Sequence, residues 1–513
     1  MCPDVQPIGE PAIVPTAPRS RRQFLVAATV TTAGLAVGAC TSKQPSHPRV
    51  VGPSAGAVGQ AEAYRRRPGA PIREVALTAA PVTIDLAGRM VTTWAYNGSV
   101  PGPVVRPRAG EVLRARLDNR LPEPTTIHWH GVALRNDMDG APGMTQPPVR
   151  PGGRFTYEFT VPDPGTYWFH PHVGLQLDRG LYGPLLVDDP AEPGGYDREQ
   201  VVVLDDWTDG IGPSPEQLQA RLAAQGGMMG QGNMGMMGQG GPDASPVLGG
   251  VGGQIDYPLY LLNGRPPADP PTIPARPGQR LRLRVVNAAA ETAFRLALGG
   301  HRLTVTHSDG LPVAAVTVDA LVVGMGERYD AVVTLGDGAF PLVALAEGKR
   351  GQALGVVRTA GGARPAAGAR PGELDGRLLD LGELRADPRV GLPARRPDRT
   401  HRVVLSGGMM DARWTINGRT FDDAIPLEVR EGERVRLVLA NQSMMFHPVH
   451  LHGHSFQVQT QAGAGPRKDT VIVRPMEQFA VDLLAANPGQ WMLHCHNLYH
   501  QQAGMMTTLS YIR

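Results

Sequence analysis

The decamer Gly110-Glu-Val-Leu-Arg-Ala-Arg-Leu-Asp-Asn119 returns twice further along the chain, as Gly278-Gln-Arg-Leu-Arg-Leu-Arg-Val-Val-Asn287 and as Gly432-Glu-Arg-Val-Arg-Leu-Val-Leu-Ala-Asn441. Apolar and polar side chains largely alternate in each copy, the pattern of a strand with one buried face. An Asn-Gly turn signal precedes each copy: Asn97-Gly98, Asn263-Gly264 and Asn417-Gly418. The first and third copies also share an ending. Pro164-Gly165-Thr-Tyr-Trp-Phe-His170-Pro-His172 aligns with Pro488-Gly489-Gln-Trp-Met-Leu-His494-Cys-His496. Repetition at matching offsets predicts three homologous β-sandwich domains, at residues 74–190, 199–364 and 395–513. The outer two carry an H-x-H pair at the same place; the middle one has none and reads as a spacer.

Bulk properties agree with that division. A chain of 513 residues is too long for one ordinary core. With 64 Gly, 49 Pro and only 19% charged residues, it reads as many short strands joined by turns. The formal charge of +3 and the lack of a basic stripe with interleaved aromatics argue against a nucleic-acid partner. Residues 1–40 read as an address: Ser20-Arg21-Arg22-Gln23-Phe24-Leu25 is a twin-arginine signal, and an apolar stretch ends in the lipobox-like Val37-Gly38-Ala39-Cys40. The expectation is export of a folded protein to the cell envelope, with a lipid anchor at Cys40 on the outer side of the cytoplasmic membrane. Residues 41–73 read as a tether, residues 365–394 as a linker, and residues 226–241 (GGMMGQGNMGMMGQGG) as a low-complexity insertion. Of three cysteines, Cys2 and Cys40 belong to the leader or anchor. Cys495 is left without a disulfide partner, and metal ligation is the reason to keep it.

The 15 histidines include five H-x-H pairs, where random placement predicts about half of one. They gather as His128-Trp129-His130, His170-Pro171-His172, His447-Pro-Val-His450-Leu-His452-Gly-His454 and His494-Cys495-His496, with His500 and Met505 following. Residues two apart on a strand point to one side, so each pair aims two imidazoles into one space. In His494-Cys495-His496 the thiol then points away from both imidazoles. A thiolate, two imidazoles and a long axial Met make a blue-copper site. Cys495, His500, Met505 and a His from another strand, with His447 the candidate, supply that set. Structural zinc is disfavoured, since it closes with four ligands.

These segments resemble the four copper-binding motifs of three-domain multicopper oxidases, which include laccases and bacterial copper-efflux oxidases. The resemblance runs from about residue 90 onward and is strongest to exported actinobacterial copper-resistance oxidases. It implies an all-β chain of three tandem cupredoxin-like Greek-key sandwiches. It implies four copper ions: type 1 copper on His447, Cys495, His500 and Met505, type 2 copper on His128 and His450, and a type 3 pair on His130, His170, His172, His452, His494 and His496. It further implies that one-electron substrate oxidations are coupled to reduction of O2 to water. His454, His47, His301, His307 and His401 match no ligand position. Asp139 matches a family acid near the type 2 copper and is expected to carry protons. Many bacterial relatives place Glu after the His at position 500, whereas this chain has Gln501, which cannot deliver a proton. Asp469 is expected to orient a type 1 His through its second nitrogen.

The methionines rank the reductants. Thioethers suit Cu(I), and Met228, Met229, Met234, Met236 and Met237 crowd the insertion. In copper-efflux relatives a Met two residues before the type 1 His, here Met445, holds substrate Cu(I); an Asp four residues before it is replaced by Ser443. The expectation is a monomeric cuprous oxidase in copper detoxification, with laccase-like activity on small phenolic or amine reductants. A copper-sequestering lipoprotein, a structural envelope protein and a copper nitrite reductase are the competing readings. The last two lack, respectively, the ligands and the paired H-x-H motifs present here.

Overall fold

The structure, a computed structural model, describes residues 49–192, 194–224, 244–408 and 412–513. The leader motifs at residues 20–40 and the methionines at positions 228, 229, 234, 236 and 237 lie outside those residues.

The three decamers become equivalent strands. Val112–Asn119, Arg280–Asn287 and Arg434–Asn441 each run parallel to the long strand that opens their sandwich: Ile72–Leu86, Arg198–Trp207 and Arg399–Gly407. Each runs antiparallel to Arg154–Thr160, Arg328–Thr334 or Gln478–Leu484. A second sheet closes each sandwich, with three strands in the first domain and five in the others.

Both recurring Asn signals have the same physical cause in all three domains. Asn97, Asn263 and Asn417 adopt left-handed backbone at φ 53°, 50° and 54°, and the Gly after each is also at positive φ, as a tight type I′ hairpin requires. Each Asn side chain then bonds back to the opening strand. Asn263 donates to the Val201 carbonyl and accepts from the Val203 amide, as Asn97 does with Ala76 and Thr78, and Asn417 with Arg402 and Val404. The Asn ending each decamer ties its buried exit loop to the second sheet. Asn287 donates to the Thr292 and Val323 carbonyls and accepts from the Ala289 amide. Asn119 and Asn441 repeat that pattern.

Single-face burial fails for the middle decamer. Arg282 and Arg284 are both buried, because the first domain covers that face. Arg282 pairs with Asp330, and Asp330 also accepts from the Thr166 hydroxyl of the first domain. The outer domains are joined more closely still, since their apolar side chains form one continuous cluster.

Two expected connectors are built into this body. Residues 49–73 are not a free tether: they carry the helix Gly56–Arg65, bury Val51 and Val58, and place the Glu62 carboxylate 2.8 Å from both the amide and the hydroxyl of Thr160. Their backbone also meets the last strand, Val51 donating to the Tyr511 carbonyl. Residues 365–394 likewise lie against the middle domain, burying Leu374 and Leu384. A few apolar side chains suffice to dock each segment.

Asn287→Ala leaves two buried carbonyls and one amide without partners. At about 1–3 kcal/mol for each buried group stranded, differential scanning calorimetry of the full chain should show its transition lowered by several degrees. An unchanged transition would count against the role given to this Asn.

Candidate metal centre

Strand register sorts the histidines. His128–His130 pairs antiparallel with Gly165–His170, placing His128 opposite His170. Trp129 turns the other way, into a cluster with Tyr157, Phe159 and Phe169. In the third domain His447–Leu451 pairs with Gln490–Cys495, placing His450 opposite His494 and Val449 opposite Cys495. Alternation therefore puts His450, His452, His494 and His496 on one face of the sheet, and His447, Val449 and Cys495 on the other.

Eight imidazoles from the outer domains meet on the first face, all buried. His128 stacks on His452, and His130 on His450, each at 3.7 Å between ring centres. His494 Nε2 lies 3.1 Å from His452 Nε2 and 3.4 Å from His172 Nε2. Ligand atoms converge within 4.8 Å in the triads His128/His450/His452, His128/His130/His170 and His172/His452/His494. The His496 ring lies 5.0 Å from that of His130.

Most of these rings are anchored through one nitrogen. His128 Nδ1 lies 3.0 Å from the Asp139 carbonyl, and His170 Nδ1 2.9 Å from that of Pro171. His450 Nδ1 lies 3.0 Å from the carbonyl of Asp469, and His494 Nδ1 3.0 Å from that of Cys495. The second nitrogens of His128, His130, His170 and His450, and both of His496, are buried without a hydrogen-bond partner among the described residues. Burial, reinforced by neighbouring imidazoles, pushes His130, His170, His172, His452, His494 and His496 well below the ordinary histidine range. The result is a set of neutral imidazoles whose lone pairs face one another, which is unfavourable unless a cation sits between them.

Asp139 spans both outer domains at this face, Oδ1 lying 3.2 Å from His128 Nδ1 and Oδ2 2.8 Å from His452 Nδ1. Asp469 does not stand where it was expected. It contacts His130 (Oδ1 to Nε2, 3.1 Å) and His450, and no type 1 candidate. The strand Thr470–Val473 pairs with His447–Leu451 so that Thr470 faces His450, which carries the preceding Asp to the same end. The outer nitrogen of His447 is met instead by Ser443, at 2.7 Å. The sequence marks Ser443 only as the residue standing where copper-efflux relatives have Asp, and gives no signal for this contact.

On the second face, Cys495 Sγ lies 3.5 Å from His447 Nδ1 and 3.7 Å from His500 Nδ1, with the two nitrogens 3.1 Å apart. Asn497 caps the helix Leu498–Gln502, its side chain accepting from the Tyr499 and His500 amides and so turning His500 back towards the thiol. Met505 is fully buried and donates its amide to the His500 carbonyl. Trp414, which no sequence signal marked, stacks on the His500 ring at 4.0 Å. Burial lowers His447 to about 3 and pushes the Cys495 thiol up. A thiolate is therefore stable here only against a cation. Two neutral imidazoles, a thiol and a thioether suit copper.

Met445 is fully buried in the apolar cluster shared by the outer domains, so it is closed to an ion arriving from solvent; the exposed thioether is that of Met444. Val251, just beyond the insertion, bridges to Met445. His454 bonds Tyr511 and joins neither set.

Comparison with known proteins agrees with this chemistry. Multicopper oxidase family models match residues 78–192, 198–362 and 394–511. The chain is 49% identical to the multicopper oxidase MmcO of Mycobacterium tuberculosis, over 96% of this chain and 97% of that one. It is 30% identical to a copper resistance protein A homolog of Pseudomonas syringae pv. tomato, over 84% and 91% of the two chains. A crystal structure of a multi-copper oxidase from Pseudomonas thermotolerans superposes with a TM-score of 0.65 at 29% identity, covering 86% of this chain and 100% of that one. With three β-sandwiches in tandem, two buried sets of copper-type ligands between and within them, and these relatives, the chain belongs to the three-domain bacterial multicopper oxidases, copper-dependent oxidoreductases.

Proposed function

We propose that this enzyme oxidises Cu(I), and more broadly small phenols and amines, at the Cys495 face and reduces O2 to water at the eight-histidine face. The observation that carries this reading is the back-to-back arrangement on one strand: Cys495 looks one way, and its chain neighbours His494 and His496 look the other. A continuous covalent path of a few bonds joins the thiol to both imidazoles. The residues present fit four copper ions, type 1 on His447, Cys495, His500 and Met505, type 2 on His128 and His450, and a type 3 pair on His130, His170, His172, His452, His494 and His496. Bound there, copper supplies one-electron chemistry at the first set and O2 reduction at the second. The balanced reaction for the cuprous substrate is four Cu(I), one O2 and four protons giving four Cu(II) and two waters.

The protein's own part is orientation and proton handling. Asp139, fully buried between His128 and His452, is the carboxylate placed to relay protons at this face and fixes the ring facing of both. Gln501 cannot share this task, which concentrates it on Asp139. Ser443 and Trp414 set the rotations of His447 and His500. Met444, exposed between Ser443 and Met445 and with its carbonyl against Gly250, is the thioether placed to meet arriving Cu(I), with Met228, Met229, Met234, Met236 and Met237 as collectors. The twin-arginine and lipobox motifs support export and anchoring at Cys40 on the outer side of the cytoplasmic membrane.

Copper analysis and visible spectroscopy of the loaded protein should give about four coppers and an intense blue band that Cys495→Ser abolishes. Absence of the band, or only one or two coppers, would sink the oxidase reading. Asp139→Asn should slow O2 consumption by about a hundredfold with the blue band intact; an unchanged rate removes Asp139 from proton transfer. Deleting residues 226–241 should abolish Cu(I) oxidation while sparing phenol oxidation. Equal loss of both would make the insertion structural.

A further inference from the structure

The middle domain carries no histidine pair, yet it reaches the histidine cluster. Arg328, at the start of its strand Arg328–Thr334, is fully buried. It grips Asp469 of the third domain with both arms, Nη1 to Oδ1 at 2.7 Å and Nη2 to Oδ2 at 2.6 Å. Its Nε donates to the Thr166 carbonyl of the first domain at 3.2 Å. The gripped carboxylate then faces one histidine from each outer domain, His130 and His450, whose rings are stacked. Thr470 closes the arrangement, its hydroxyl 2.8 Å from Asp469 Oδ1 and 3.1 Å from both His130 Nε2 and His450 Nδ1.

The surroundings are shaped for this contact. Asp309, also of the middle domain, accepts from the backbone amides of Asp469, Thr470 and Arg328. It also pairs with the buried Lys468 at 3.2 Å. Gly131, directly after His130, has φ +86°, and a side chain there would strike both Arg328 and Asp469. Gly326, in the turn before Arg328, has φ +83°; an added Cβ would come within 2.8 Å of the His496 ring and 3.0 Å of the His130 ring. A two-armed guanidinium fixes a carboxylate in angle as well as in distance, which a lysine does not.

We propose that Arg328 is a positioning residue of the oxygen-reducing centre: by clamping Asp469 it sets the orientation of His130 and His450 together, so the middle domain holds the seam between the outer two in register for copper. This rests on the ligand assignment proposed above. It makes the domain that looked like a spacer a working part of the site.

The test uses the full-length, copper-loaded protein: wild type, Arg328→Lys, Arg328→Gln, and Arg295→Gln as a control that breaks another middle-domain ion pair, with Glu347, away from the cluster. Copper removal by a chelator is followed by metal analysis and type 2 electron paramagnetic resonance, with the blue band recorded in parallel. Arg328→Gln should lose cluster copper on the order of tenfold faster than wild type, the usual consequence of removing a partner that orients a metal-bound histidine. Arg328→Lys should fall between, and the blue band should persist in both. Arg295→Gln should behave as wild type. If Arg328→Gln does not fold, Arg328→Lys decides the matter alone. Cluster signals in Arg328→Lys equal to wild type, or lost in step with the blue band, overturn the proposal. A wild type lacking the blue band and the cluster copper overturns the ligand assignment itself.

Discussion

Unshared imidazole lone pairs, packed together without water, are the constraint on which this molecule is organised. A buried nitrogen without a donor costs roughly as much as a lost hydrogen bond. Here five rings turn such nitrogens into one space between two domains. Among the described residues no donor answers them, and burial together with neighbouring imidazoles opposes protonation of His130, His170 and His496. Cations of the right kind turn that liability into affinity. The protein's task is to keep the rings facing inward until they arrive, which it does by tying their outer nitrogens to carbonyls and carboxylates.

That task explains the architecture around the seam. The outer domains supply the ligands and share one apolar cluster, so the gap between their sheets is set by close packing rather than by a hinge. The segment at residues 49–73 bonds to the last strand and to Thr160, tying the two outer domains from the outside. The middle domain contributes buried charge to the same seam through Arg328 and Asp309, and Lys468 of the third domain is enclosed with them. Such pairs are costly to bury singly and stable as a satisfied network. Asp139 is the counterpart from the first domain, reaching a histidine on either side of the join.

Much of this was legible in the chain. Period-two spacing in His494-Cys495-His496 already separated two sites on opposite sides of one strand, and the register with His447–Leu451 places His450 and Cys495 accordingly. The recurring Asn residues were legible as turn signals, although their bonds to the opening strand and the exit loop were not. The folded chain departs from the sequence expectation at several points. Asp469 serves His130 and His450, while Ser443 meets His447. Met445 lies in the core, leaving Met444 outside. The presumed tether carries a docked helix.

Local alternation, turn chemistry and internal repetition thus determined, from sequence alone, the strands, the threefold plan and which histidines of a pair share one face, because these depend on neighbours within a few residues or on copies of one unit; the division into copper ligand sets came from the resemblance to multicopper oxidases. Tertiary structure alone decided which acid orients which imidazole, which thioether meets solvent and that the domain without histidines touches the cluster. His130 and Asp469 are 339 residues apart, and Arg328 and Asp469 are 141 apart. No periodic pattern spans such separations; only the packing of whole domains brings those groups to hydrogen-bond distance.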